Sequence, residues 1–171
     1  GTRTAIDAYL ASASAPTFAS AANTNGIFNV TIAASDGGIT DARAVFVQPV
    51  NDMPAGTNAT FTINEDATRV LTVANFGFSD TIDSNQFGGI VVSTLPAAGT
   101  LRLNGVPVTL GQFVSNLDIA NGLFSYAPAS NVNGSSAASF TFRVRYNSGT
   151  AVGGVDADST PNTITFNITA V

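Results

Sequence analysis

The side chains able to do chemistry in this sequence are almost all oxygen acids and amides. Six basic residues stand against eleven acidic ones, for a net charge of −5, and every acid except Glu65 is an Asp. Asp52 follows Asn51, Asp80 and Asp83 share a short loop, and Asp156 and Asp158 sit in the long loop 147–162. Carboxylates, amide carbonyls and backbone carbonyls are the donors a hard cation such as Ca²⁺ collects, about six to eight at a time, from flexible loops. Asn51, Asp52, Asp80, Asp83, Asp156 and Asp158 are therefore a candidate calcium site if the fold brings their loops to one pole. The competing account is that Asp and Asn are ordinary turn formers, well solvated and with no ligand.

Other chemistries are excluded by residue type. The chain has no Cys and no His, so disulfides, thiolate or imidazole metal sites and Ser-His-Asp or Cys-His catalysis are absent. It has no Lys either, which removes Schiff-base chemistry and Lys–Asn isopeptide crosslinks. Asp7, Asp41, Asp66 and Asp118 have no plausible general-acid partner in the sequence, and the expectation is that the protein is not an enzyme. The negative balance argues against a nucleic-acid partner. No apolar run reaches the roughly 18 residues of a membrane span. A Cys-free, Thr/Ser/Asn/Gly-rich chain with only 10% charged residues suits an extracellular bacterial β protein.

The elements that must position these acids read as strands. Alternating or β-branched runs recur at 27–33, 44–47, 57–63, 70–73, 90–95, 100–103, 123–126, 140–146 and 163–171, separated by turn signals. Along 59–63, 140–144 and 164–168, Phe, Val and Ile alternate with Thr, Arg or Asn, the pattern of a sheet with one dry and one wet face. Asn104-Gly105 is a two-residue hairpin signal. The spacing predicts helical turns at 4–13 and 112–120. The fold class is all-β, an antiparallel Greek-key sandwich of seven or slightly more strands over 55–171. Its expected core holds Phe61, Val73, Phe140, Phe142, Val144, Ile164 and Phe166. In such a sandwich the candidate acids share the pole of the incoming linker.

An internal repeat sets the domain organisation. Phe18–Asn23, Asn25 and Gly26 line up with Tyr126–Asn131, Asn133 and Gly134 at a constant offset of 108. After a four-residue slip, Phe28, Val30 and Ile32 match Phe140, Phe142 and Val144, and Val45–Val50 matches Phe166–Val171. Repeats of this length are modules in tandem. Residues 1–50 thus read as the C-terminal half of one sandwich module, 51–54 as a linker, and 55–171 as a complete module. The inward residues of the half-module, Phe18, Phe28, Val30, Ile32, Val45 and Val47, call for a cover.

The ordered series Pro49-Val-Asn-Asp-Met-Pro54, Thr62-Ile-Asn-Glu-Asp66, Phe76-Gly-Phe-Ser-Asp80 and Leu95-Pro-Ala-Ala-Gly-Thr-Leu101 resembles the cadherin-like, immunoglobulin-like tandem repeats of very large bacterial surface adhesins of the repeats-in-toxin type. Asn133-Gly134, the Phe140–Val144 strand and the closing Asn167–Val171 carry the same resemblance, and Ser35-Asp36-Gly37 followed by Val50-Asn51-Asp52 looks like the end of a preceding copy. The resemblance implies a non-catalytic structural and adhesive module at the bacterial cell surface, stiffened by calcium at joints between modules. It also implies that Glu65 points toward the following joint and that Asp36 belongs to the preceding one, each half of a site. The implied partners are other copies of the repeat or of the chain itself, and a polysaccharide or cell surface. The alternatives are a filament subunit that accepts strands from a neighbour and a carbohydrate- or host-surface-binding module.

Overall fold

A computed structural model describes residues 4, 5, 8, 11–13, 17–33, 40–147, 149, 150 and 153–171. The chain divides into two units, Gly1–Pro49 and Val50–Val171. In the first, β1 (Gly26–Ala33) and β2 (Thr40–Val47) form a two-stranded antiparallel sheet. Of the segment expected to be helical at 4–13, residues 4, 5 and 8 are helical and part of the rest lies outside the described residues.

The second unit is an all-β sandwich. One sheet holds β3 (Ala59–Asn64), β5 (Phe87–Val92), β8 (Phe113–Ser115), β10 (Gly134–Tyr146) and β11 (Asn162–Thr169) in the order β3-β11-β10-β5-β8. The other holds β4 (Arg69–Val70), β6 (Thr100–Leu103), β7 (Val106–Pro107) and β9 (Phe124–Ala127) in the order β4-β9-β6-β7. Alternation decides which side chains go between them. Along β10, Ala138, Phe140, Phe142, Val144 and Tyr146 are buried while the intervening Thr141, Arg143 and Arg145 are not. The two layers meet through rings: Tyr126 of β9 stacks on Phe166 of β11 at 4.0 Å, and Phe124 meets Phe140 edge-on at 6.2 Å. Phe76, in a 3₁₀ turn at Val73–Phe76, closes on Phe142 at 5.0 Å. The Tyr126 hydroxyl donates to the Ala98 carbonyl, so the one polar atom of that stack is satisfied.

Three features differ from the sequence expectations. Among the described residues ladder pairs are antiparallel except β3 with β11, which run parallel from Ala59↔Ile164 to Asn64↔Thr169. The stretch 112–120 is half strand and half helix: β8 pairs with β5, and Ser115 then caps a five-residue helix, Asn116–Ala120, by accepting from the Asp118 amide at 3.1 Å. Of the expected core, Phe140, Phe142, Val144, Ile164 and Phe166 are fully buried. Val73 and Phe61 are only partly buried and pack against that core, Phe61 beneath the Arg69 guanidinium at 3.9 Å.

The ladders of the two hairpins can be compared at the positions that the sequence offsets match. Gly26 faces Val47 across β1–β2, and Gly134 faces Ile168 across β10–β11, the same pair by the sequence offsets. Beyond it, Phe28↔Val45, Val30↔Arg43 and Ile32↔Asp41 correspond to Ala138↔Phe166, Phe140↔Ile164 and Phe142↔Asn162. The slip between copies is therefore two residues rather than four, taken up by a bulge between Gly134 and Ala138. In that bulge Ser136 has φ 51° and its amide donates to the Asn167 side chain at 2.8 Å. Phe18, the counterpart of Tyr126, lies against Phe28 at 5.9 Å.

Candidate functional site

Parallel pairing of β3 with β11 decides which loops share a pole. The chain arriving at Ala59 meets the loop that leads into Ile164, and the chain leaving Asn64 meets Thr169. Six residues at about 3.3 Å each separate the two poles by roughly 20 Å.

Four of the candidate residues come together at the incoming pole. The Asp52 amide donates to Asp83 Oδ2 at 2.6 Å, the Asp83 amide to Asp80 Oδ1 at 3.1 Å, and the Asn85 amide to Asp80 Oδ2 at 3.3 Å. Asn85 Nδ2 donates to Asn51 Oδ1 at 2.9 Å, and Asn51 Nδ2 donates to the Gly149 carbonyl at 3.4 Å. Gly154 lets the long loop close on this network, since a Cβ there would lie 2.6 Å from that of Asn51, and the Val155 amide donates to the Asn51 carbonyl at 3.3 Å. Beneath sits Tyr146, buried, its hydroxyl donating to the Val155 carbonyl at 2.8 Å. Burial pushes the Tyr146 phenol above its ordinary value; a hydrogen bond with Asn51 opposes this, and the charges of Asp83, Asp80 and Asp52 add to it.

Asp156 and Asp158 do other work. Asp156 is ion-paired with Arg145. Asp158 is buried, and its carboxylate accepts from the Gly56 amide at 3.0 Å, the Thr160 amide at 2.8 Å and Asn162 Nδ2 at 2.7 Å. It staples the incoming chain to the start of β11. The bond to an amide two residues on is an Asx turn, and the Asp158-Ser-Thr-Pro spelling carries that signal in the sequence. At the far pole, the Val171 amide donates to Glu65 Oε1 at 3.3 Å and the Glu65 amide to the Thr169 carbonyl at 3.0 Å. Asp36 lies outside the described residues.

As a cation site the incoming pole has the right donor chemistry, oxygen only. The geometry is less favourable: among the described residues no three acids are placed to hold one metal ion. Asn51, Asp52, Asp80 and Asp83 are linked instead through hydrogen bonds with backbone and side-chain amides.

A second feature was not anticipated from sequence. Gly88, Phe113, Arg145, Tyr146, Asn147 and Asp156 line a surface cavity of about 410 Å³. Arg145 spans it, paired with Asp156 and lying 5.7 Å from the Phe113 ring centroid, with its Nε buried and unpartnered. The only sequence signal is that Arg143 and Arg145 occupy the wet positions of an otherwise apolar strand.

No family model, curated protein or solved structure matches the chain. Among the described residues no helix is long and apolar enough to cross a membrane.

Proposed function

We propose that this chain is a non-catalytic structural and adhesive repeat of an extracellular bacterial surface or matrix protein, of the cadherin-like adhesin type. The observation that carries this reading is the parallel pairing of β3 with β11. These are the first and last strands of the 50–171 unit. Tension pulling residue 50 away from residue 171 therefore slides the two strands along each other and loads six ladder pairs at once. Antiparallel terminal strands joined at one end would instead unzip one pair at a time. The same geometry brings the chain in at one pole and out at the other, as a spacer in series requires.

Stretching single molecules of the 1–171 chain by their ends tests the reading. The expected trace has one cooperative rupture with a length gain on the order of 350–400 Å, from about 3.4 Å per released residue. Gradual lengthening with no rupture would overturn it. Calcium stiffening in this proposal requires Asp52, Asp80 and Asp83 to turn onto a shared ion. In that case millimolar Ca²⁺ raises the melting temperature and EDTA reverses the rise, whereas superimposable curves remove calcium from the account.

The cavity at Phe113 favours a second reading, a carbohydrate-binding module: an aromatic face beside a guanidinium–carboxylate pair offers stacking and paired hydrogen bonds to a sugar, in a volume within the usual range for small-ligand sites. Saturable binding on a glycan array that is lost in Arg145→Ala would support it.

A further inference from the structure

We propose that the cavity at Phe113 takes a neutral pyranose with two adjacent hydroxyls and discriminates against sugars that carry a carboxylate. Resting on the carbohydrate reading above, this fixes the charge class of the ligand.

The backbone shapes the cavity first. Tyr146 faces Phe87 and Arg145 faces Gly89, so Gly88 is an extra residue on β5, a bulge in the cavity lining. A Cβ at Gly88 would lie 2.7 Å from the Tyr146 carbonyl. One at Gly89, where φ is 147°, would lie 2.9 Å from the Phe113 ring and 2.3 Å from the Val114 carbonyl. Glycines inside a strand mark places where another backbone or a ligand comes close. Here Gly89 lets the Phe113 ring lie across β5, and 46% of Phe113 stays exposed as an apolar face on the cavity wall.

The polar groups stand beside that ring. Arg145 lies 5.7 Å from its centroid and is paired with Asp156. A guanidinium only donates and a carboxylate only accepts, so together they match two adjacent hydroxyls, one accepting and the other donating. The C–H face of the same sugar then rests on Phe113. A volume of about 410 Å³ has room for such a ring with its substituents.

Charge selects among sugars. Among the described residues of this part of the sandwich, the cations are Arg145 and Arg143, the latter donating to the Asp158 and Ser159 carbonyls. Against them stand Asp156, Asp158 and the acids of the adjoining pole, Asp52, Asp80 and Asp83, whose charges reach Tyr146 in the cavity wall. Five carboxylates against two guanidiniums leave the surroundings negative. A neutral ring is indifferent to that field, whereas a uronate brings a like charge into it.

The test titrates the 1–171 chain with methyl glucoside, methyl galactoside and methyl mannoside, each beside the matching uronate, and follows amide chemical shifts. At least one neutral glycoside should give saturable shifts at Gly88, Gly89, Phe113 and Arg145, with a Kd on the order of millimolar for a ligand of this size. Its uronate should bind about five- to tenfold more weakly at low salt, and the gap should close at roughly 0.5 M NaCl, where exposed charges are screened. Phe113→Ala should weaken the neutral glycoside about fivefold. Asp83→Asn, outside the cavity lining and still able to accept from the Asp52 amide, should narrow the gap between neutral and acidic forms; a melting curve confirms that each variant is folded.

Equal or tighter binding of the uronates at low salt would overturn the charge class and leave the carbohydrate reading standing. The absence of saturable shifts with every sugar, or shifts that persist unchanged in Phe113→Ala, would overturn both.

Discussion

The hairpins β1–β2 and β10–β11 have similar pairing, apart from the bulge in β10, but differ in surroundings. β10 and β11 lie mid-sheet, with β5 on one side and β3 on the other, and a second sheet stacks Tyr126 and Phe124 on Phe166 and Phe140. Among the described residues β2 is the one strand paired with β1, and the Phe18 ring lies against Phe28. Where β11 buries Ile164, β2 carries Arg43 at the matched position, and where β11 buries Phe166, β2 carries Val45, only half-buried. Register follows alternation, a local property of each strand. Stability belongs to the layers around it.

The widest gap between the two hairpins should appear in core truncations. Phe142 is fully buried against Phe76 and Phe140, and Phe142→Ala should cost about 3–5 kcal/mol in denaturant unfolding. Val30→Ala, at the place of Phe140 in the other hairpin, should cost less than about 1 kcal/mol; equal losses would erase the distinction. Next comes the staple. Asp158→Ala strands the Gly56 and Thr160 amides and Asn162, for about 1–3 kcal/mol.

Alkaline pH sharpens the contrast further, because burial raises the phenols of both Tyr126 and Tyr146, which belong to the sandwich. A raised phenol favours the protonated, folded form, so its stabilisation is complete below the ordinary value of 10.0 and is lost as pH rises from there through the folded value. Thermal melts across this range should show unit 50–171 losing stability, less steeply in Tyr146→Phe, which at neutral pH costs about 1 kcal/mol for its bond to Val155. The smallest effect is at the cavity. Arg145 and Asp156 are partly solvated, and Asp156→Asn should change stability by no more than about 1 kcal/mol.

The all-β class and most of the core could be read from the sequence because alternation of Phe and Val with Thr and Asn is a backbone-period signal that survives without neighbours. Thr100–Leu103 was legible to the residue, and Asn104-Gly105 indeed turns β6 into β7. The parallel β3–β11 pair was not legible, since a strand's partner direction is a property of topology and leaves no mark on side-chain period. Phe113–Ser115 looked helical because three strand residues run straight into a capped turn. At the pole, the loops that meet were foreseen, as Asn51, Asp52, Asp80 and Asp83 show. The destinations of Asp156 and Asp158 were not, since an ion pair with Arg145 and a staple to Gly56 depend on contacts far away in sequence.

Native-state hydrogen exchange on the chain alone tests the central claim most directly, namely that two similarly paired hairpins differ in stability because one lies mid-sheet in a sandwich. Amides in the β10–β11 ladder should exchange only through global unfolding, which for a domain of ordinary stability means slowing by about four decades or more. Those of β1–β2 should exchange with far less protection. Comparable protection in the two hairpins would contradict the account.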